Sequence, residues 1–356
     1  MSIEEFLKEK APIIDKMIEK YIPRKFDENA LVFQLERPRY EYNLKALNKA
    51  VAEPIWEFLG RGGKRWRPSL FLLVCEALGK NWKDFLDFAI IPEVIHNGTL
   101  MIDDVEDLSE LRRGKPCTYK LFGLDIAINA GNAMYYLPLL PLIQSKNRLS
   151  AEKVNKIYEI YVKEMIHLSF GQAADIAWHK GLADADEISE AQYFQMCAYK
   201  SGTIPRLSAK IAATLSDANH TLVEKLGRFA EAVSVAFQIH DDILDLVGEK
   251  FAEKKGGCGQ DVTEGKRTLI VIQTLKQANP KDKERLVEIL NMHTTDQKLR
   301  DEAINLMKKY GAIEYAKRSA QALVKESWKE VDKLLSPSKA KEKLKAFSTY
   351  LVERKI

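Results

Sequence analysis

The chain has 356 residues, 46% hydrophobic and 30% charged, with a net charge of +4. That is the composition of a globular protein, and so small a charge excess gives no argument for nucleic acid as a partner. Four scattered cysteines, Cys75, Cys117, Cys197 and Cys258, form no C-x-x-C pair. This argues against a disulfide framework or zinc site and for a reducing, cytoplasmic compartment.

The first twenty residues, MSIEEFLKEKAPIIDKMIEK, alternate charge with apolar residues at helical spacing and lack the apolar core of a secretory signal. Acids and lysines mix on this segment, which favours a packed amphipathic helix over a peripheral membrane helix. Periods of three and four recur over 45–59, 69–79, 84–105, 124–145, 151–179, 189–214, 219–248, 267–278, 282–292, 297–309, 312–335 and 338–353. No run of alternating β-branched residues intervenes, so the chain reads as all-α. No unbroken apolar stretch of about 18 residues marks a transmembrane helix. Three breaks are long, glycine-bearing and basic: GRGGKRWRP (60–68), DLSELRRGKPCTYKLFG (107–123) and GEKFAEKKGGCGQDVTEGKR (248–267). Such loops in a helical protein usually carry function. No linker or repeat divides the chain. One domain over 1–356 is the simplest account, with N-terminal helices in 1–45, a core over 46–275 and further helices over 280–356.

The helix over 84–105 runs into D-D-x-x-D: Asp103, Asp104 and Asp107. Asp103 and Asp107 stack one turn apart, while Asp104 is rotated away. Acids at a helix C-terminus oppose the dipole, so a solvated helix end explains them poorly. The pattern recurs after a second apolar helix as Asp241, Asp242 and Asp245. Carboxylates crowded on one cavity raise each other's pKa unless cations intervene. Oxygen ligands suit Mg²⁺, which bridges carboxylates to phosphates. The paired triads therefore predict a polyphosphate held through magnesium.

A phosphate site also needs direct cations. GGKRWRP offers Gly62 and Gly63 for close approach, then Lys64, Arg65 and Arg67; without G-x-x-x-x-G-K-[ST] or a preceding strand it is no P-loop. Arg112 and Arg113 follow the first triad, Lys200 precedes Ser201-Gly202-Thr203, and Lys266 and Arg267 follow the second triad. Any one of them alone reads as a solvated side chain; their clustering beside the acids is the signal.

The ordered set GGKRWRP, IHNGTLMIDDVEDLSELRRG, GQAAD (171–175), KSGT (200–203), FQIHDDILD (237–245) and GQDVTEGKRT (259–268) resembles the trans-isoprenyl diphosphate synthases, most closely those making geranylgeranyl diphosphate. The resemblance spans roughly 60–270 and implies a bundle of long helices around a deep central cavity, the isoprenoid synthase fold, as a homodimer. It implies roughly three Mg²⁺ ions per active site, bound directly by Asp103, Asp107 and Asp241, with Asp104, Asp242 and Asp245 close by. Arg112, Lys200 and Lys266 would contact the allylic diphosphate; Lys64, Arg67, His96 and Arg113 would hold isopentenyl diphosphate. Ser201 and Gln238 would turn oxygens toward the allylic cation, the alternative being helix capping or packing, and Gln172 and Asp175 would line the cavity. The reaction implied is ionisation, condensation and elimination. Relatives often carry a lysine where Gly256 and Gly257 stand here; Lys254 and Lys255 come earlier.

The growing tail is expected to run down the first-triad helix, one turn of about 5.4 Å per isoprene unit. Positions four and five before Asp103 are Thr99 and Gly98; an aromatic there would floor the cavity early, and Ile95, Val94 and Ile91 come next. A C20 product follows, with longer or C15 products as alternatives. The competing explanation is that Gly98 permits close helix packing. A cyclase is disfavoured by the second D-D-x-x-D, and a regulatory subunit of a heteromeric synthase by the intactness of both motifs.

Overall fold

The computed structural model describes residues 2–34, 37–183, 185–247 and 258–353. Lys254, Lys255, Gly256 and Gly257 lie outside these residues. The regular elements among the described residues are helices and one two-stranded hairpin, and the described residues form two compact units interleaved in sequence. Unit 1 comprises 1–160, 208–219 and 337–344; unit 2 comprises 161–207, 220–336 and 345–356.

In unit 1 the site is built on α1 (Ile3–Tyr21), α2 (Glu53–Leu59), α3 (Trp66–Ala77), α4 (Ile90–Glu106) and α5 (Leu124–Tyr136). Helix α1 opens with a capping box in which Ser2 and Glu5 satisfy each other's backbone N–H groups. Pro92 sits in the first turn of α4, where its missing N–H costs nothing. The core joins Ile14 and Ile18 of α1, Phe58 of α2, Val94 and Met101 of α4, and Ala127, Ala130 and Met134 of α5. Helices α4 and α5 touch backbone to backbone: a Cβ on Gly98 would lie 2.8 Å from the Met134 Cβ and 2.9 Å from the Gly131 carbonyl oxygen. Segments Trp82–Glu106 and Leu124–Asn147 are long and apolar enough by composition to cross a membrane, although neither is an unbroken apolar run. Of the most apolar 18-residue window in each, 67% of the first and 44% of the second is buried inside the protein.

The hairpin departs from the all-helical expectation. Strands β1 (Leu111–Arg112) and β2 (Lys115–Pro116) pair antiparallel, Arg112 opposite Lys115. Arg113 and Gly114, both at positive φ, form the two-residue turn, whose twist suits a tight hairpin. Strands this short leave no period-two pattern to read.

Unit 2 holds most of α6 (Ala151–His179), then α7 (Glu190–Lys200), the start of α8 (Thr203–Leu215), α9 (His220–Val247), α10 (Leu269–Gln277), α11 (Pro280–Asn291), α12 (Gln297–Lys309) and α13 (Ala312–Asp332). Ala312, Ala316 and Ala320, spaced four apart and buried, let α13 lie close against α9, and Phe229 meets Trp328 edge to face. The 189–214 segment is two helices broken at Ser201-Gly202, a break that has room only for glycine: a Cβ on Gly202 would strike the Ala198 carbonyl oxygen at 2.6 Å and Glu231 at 2.9 Å.

Candidate active site

The first acid motif ends α4. Asp107 is the C-cap, Leu108 turns left-handed (φ 52°), Leu108 N–H donates to Val105 O, and Ser109 N–H donates to Asp104 O at 3.0 Å. This is a Schellman stop with leucine where glycine is usual. The reversal returns the chain so that Arg112 lies on the acids. Its Nε donates to Asp104 Oδ1 at 2.7 Å, and its Nη2 lies 2.5 Å from Asp104 Oδ1 and 3.7 Å from Asp103 Oδ2. Burial raises the Asp104 carboxyl's pKa, against the pull of Arg112. Asp104 is wholly buried, whereas Asp103 and Asp107 stay partly exposed.

The GGKRWRP loop splits its cations by burial. Arg65, left-handed at φ 49°, turns inward: Nε donates to Asp15 at 2.7 Å, Nη1 to Glu93 at 3.1 Å and to Gly62 O at 3.1 Å, and Nη2 to Leu59 O at 3.0 Å. Asn97 completes the pocket, donating to Glu93 at 3.0 Å. Lys64 is exposed, and the Arg67 guanidinium lies 4.4 Å from the Trp66 ring centroid. Gly62 and Gly63 both have positive φ, and a Cβ on Gly63 would lie 2.8 Å from Arg65 Nη1. The close approach that Gly63 permits is therefore to arginine side chains of the same unit, whereas a Cβ on Gly62 would meet nothing within 4 Å. Arg113 donates to Gly62 O at 2.5 Å. His96 projects among these groups: burial, then Arg67, Arg113, Arg112 and Arg65, hold its pKa well below the usual imidazole value. Arg113 is itself pushed down by burial and by Arg65, Arg112 and Arg61, against Glu93. Lys64, Arg67, His96 and Arg113 thus belong to one cation-rich region of unit 1.

In unit 2 the second motif fills the last two turns of α9. Asp241 is partly exposed; Asp242 and Asp245 are buried. Asp242 accepts from Gln238 Nε2 at 2.8 Å and from the Tyr193 hydroxyl at 3.2 Å, and Asp245 accepts the Asp261 N–H at 3.0 Å. Burial and the nearby Asp261 push Asp242 up to about 8. Ser201 Oγ donates to Gln238 Oε1 at 3.2 Å, so both sequence-predicted oxygens are engaged with each other at the C-cap of α7. The GQAAD element also has a local reason. A Cβ on Gly171 would overlap Lys200 N at 2.2 Å, so α6 presses directly on the end of α7 and sets Asp175 2.6 Å from Lys200 Nζ. Burial opposes the ionisation of Asp175, but Lys200 and Lys266 outweigh it and lower its pKa. Lys266 pairs with Glu264 and lies 3.6 Å from Asp261. Asp242, Asp261, Lys266 and Thr268 line one small cleft.

Two residues of the basic loops turn out to be structural. Arg65 is buried as described. Arg267 donates to Gly265 O at 2.6 Å, Asn291 at 2.7 Å and Asp186 at 2.9 Å, bracing the loop that carries Lys266. Sequence reasoning missed Asp261, Tyr193 and the buried Arg206, which donates to Glu164 at 2.8 Å, to Ala198 O at 3.1 Å and to Glu231 beside the Ser201-Gly202 break. An acid within a glycine-bearing basic loop was the available signal for Asp261; the other two carry none. Gly98 is buried in the α4–α5 contact, the packing alternative. Thr99 and Ile95, four and eight residues before Asp103, share its face of α4; Thr99 is partly exposed and its hydroxyl donates to His96 O at 2.8 Å.

The donors fit a hard divalent cation. Among the described residues no closed nest of three acids, histidines or cysteines exists. In each motif, however, one or two carboxylates remain accessible while their neighbours are bound by protein groups. That is the donor set for an ion that keeps waters and takes further oxygens from phosphate.

Comparison with known proteins agrees. The polyprenyl synthetase family model matches residues 48–307. The short chain isoprenyl diphosphate synthase of Methanothermobacter thermautotrophicus is 34% identical over 293 residues, 82% of this chain and 87% of that one. The geranylgeranyl pyrophosphate synthase of Geoglobus acetivorans is 28% identical over 99% of both chains. The crystal structure of geranylgeranyl pyrophosphate synthetase from Pyrococcus horikoshii superposes with a TM-score of 0.84 over 99% of both chains at 31% identity. With both acid motifs and the basic loops inside the matched span, this all-α chain belongs to the polyprenyl synthetase family, the prenyltransferases that build prenyl diphosphates.

Proposed function

We propose that this prenyltransferase condenses isopentenyl diphosphate head to tail with an allylic prenyl diphosphate and releases geranylgeranyl diphosphate, as a cytoplasmic homodimer using Mg²⁺ and no nucleic-acid partner. The observation that carries the reading is the division of labour inside each acid motif. Asp103, Asp107 and Asp241 are accessible and would hold Mg²⁺, while Asp104, Asp242 and Asp245 are fixed by Arg112, Gln238 and the Asp261 backbone. When bound, the metal supplies charge neutralisation of the leaving diphosphate.

The chain's own groups do the rest. Arg112, Lys200 and Lys266 carry positive charge for the departing allylic diphosphate, stabilising charge that develops as the C1–O bond breaks. Each is held ready by a carboxylate: Asp104, Asp175 and Glu264 respectively. Lys64, Arg67, Arg113 and the neutral His96 orient isopentenyl diphosphate, converting a bimolecular encounter into a positioned one. The Ser201–Gln238 pair presents oxygen dipoles to the allylic cation. The proton lost at the end leaves to the released diphosphate.

The C20 assignment is supported by the geranylgeranyl synthases similar to this chain over its full length, and by the short Thr99 one turn below Asp103. The similarity to a short chain isoprenyl synthase keeps C15 as the second reading. Dimerisation is supported by exposed apolar stripes: Leu124 and Ile128 on α5, and Val162, Ile166 and Phe170 on α6. Four free thiols support a reducing compartment.

Purified full-length protein, Mg²⁺, labelled isopentenyl diphosphate and each of three allylic starters test the function. Chain-extended products, their loss with chelator, and no turnover of the allylic substrate alone are expected. Turnover without isopentenyl diphosphate would indicate a cyclase; inactivity without a second polypeptide would indicate a regulatory subunit.

A further inference from the structure

Two segments with no common element carry the cations assigned to isopentenyl diphosphate: the stretch from the loop after α2 into the first turn of α3 bears Lys64 and Arg67, and the hairpin turn bears Arg113. Like charges repel, so something must hold the two segments together. Arg61 does so. Its Nη1 donates to Arg112 O on β1 at 3.2 Å, and its Nη2 to Pro116 O on β2 at 2.9 Å, gripping both strands. Its Nε and Nη2 also donate to Glu57 at 2.9 and 2.6 Å, one turn back on α2. The side chain is 0% exposed although the residue lies in a surface loop. Its charge is therefore neutralised at Glu57, and its forked geometry is spent on backbone carbonyls. Arg113 closes the clasp from the other side by donating to Gly62 O.

We infer that Arg61 is a positioning residue that fastens the hairpin to the Gly62-Gly63 loop, and so sets the affinity for isopentenyl diphosphate through Arg113. This rests on the proposed role of Arg113, Lys64 and Arg67. Arg112 is less dependent on the clasp, because Asp104 holds its side chain independently. Loss of Arg61 should therefore fall on the isopentenyl substrate and spare the allylic one.

The test is steady-state kinetics on the full-length wild type, Arg61→Met, Arg61→Lys, Arg113→Met and the double Arg61→Met/Arg113→Met. Arg61→Met should raise KM for isopentenyl diphosphate roughly tenfold, with the allylic KM and kcat within about twofold. Arg61→Lys should stay impaired, because one ammonium cannot span both strands. In the Arg113→Met background the Arg61 effect should shrink below about twofold, the non-additivity of groups acting in series. An unchanged isopentenyl KM, full rescue by lysine, or additive effects would overturn the inference. Circular dichroism checks folding, and if Arg61→Met does not fold, Arg61→Lys decides. A wild type without isopentenyl turnover removes the underlying reading itself, an outcome separate from an active wild type with indifferent variants.

Discussion

Arg65→Met is the most demanding test of how the site is built. Arg65 and Glu93 are 4% and 3% exposed, and their guanidinium and carboxylate meet at 3.1 Å. Removing the guanidinium leaves Glu93 buried with the Asn97 amide as a hydrogen-bond donor and only the longer-range pull of Arg113 in place of its ion pair. Breaking one side of a buried pair costs about 3–5 kcal/mol. At about 2–4 °C per kcal/mol for a unit of this size, the midpoint should fall by roughly 6–20 °C. Thermal unfolding followed by circular dichroism at pH 7.5 measures it. The double variant Arg65→Met/Glu93→Met should recover most of the loss, since an apolar pair can replace a buried ion pair. Asp15, 44% exposed at its side chain, keeps its water in both. A midpoint within about 2 °C of wild type, or a double variant no better than the single, would refute the charge argument and leave the loop backbone as the cause.

Asp103→Asn should cut kcat by about a hundredfold or more with little change in midpoint, whereas Asp104→Asn should lower the midpoint and loosen Arg112; kinetics and melting on the same samples separate them. Thr99→Phe should shift the product toward C15 by chromatography. Gly98→Ala should destabilise by about 1–3 kcal/mol against Met134 and leave chain length unmoved. Asp242, at about 8 in the folded chain against an ordinary aspartate's roughly 3.9 unfolded, makes folding take up a proton between those values. Metal-free protein should therefore lose stability as pH rises from 4 to 8, and Asp242→Asn should flatten that slope in chelator; a parallel slope in both proteins would contradict the assignment. Ile166→Glu should give a smaller species than wild type by light scattering if the α6 stripe joins two copies.

Helical periodicity exposed most of the fold: 151–179 and 297–309 coincide with their helices end for end. The acid motifs were legible because D-D-x-x-D fixes which acids stack and which turns inward, and Asp104 does turn inward. Spacing alone misleads at Asp245, stacked under Asp241 yet buried, because its cap arrives from Asp261 sixteen residues on. The same limit applies to KRWR. Which of Lys64, Arg65 and Arg67 goes inside depends on Asp15 and Glu93, fifty residues before Arg65 and twenty-eight after it. The hairpin escaped notice because two-residue strands have no period, and Gly98 was ambiguous because an open cavity and a tight helix crossing both ask for a missing side chain.

His96 carries one last consequence. Burial first, and then Arg67, Arg113, Arg112 and Arg65, make its imidazole resist a proton more strongly than a free histidine does. An arriving anion screens those same guanidiniums, so any added positive charge on the ring is summoned by the cargo and not by the surroundings.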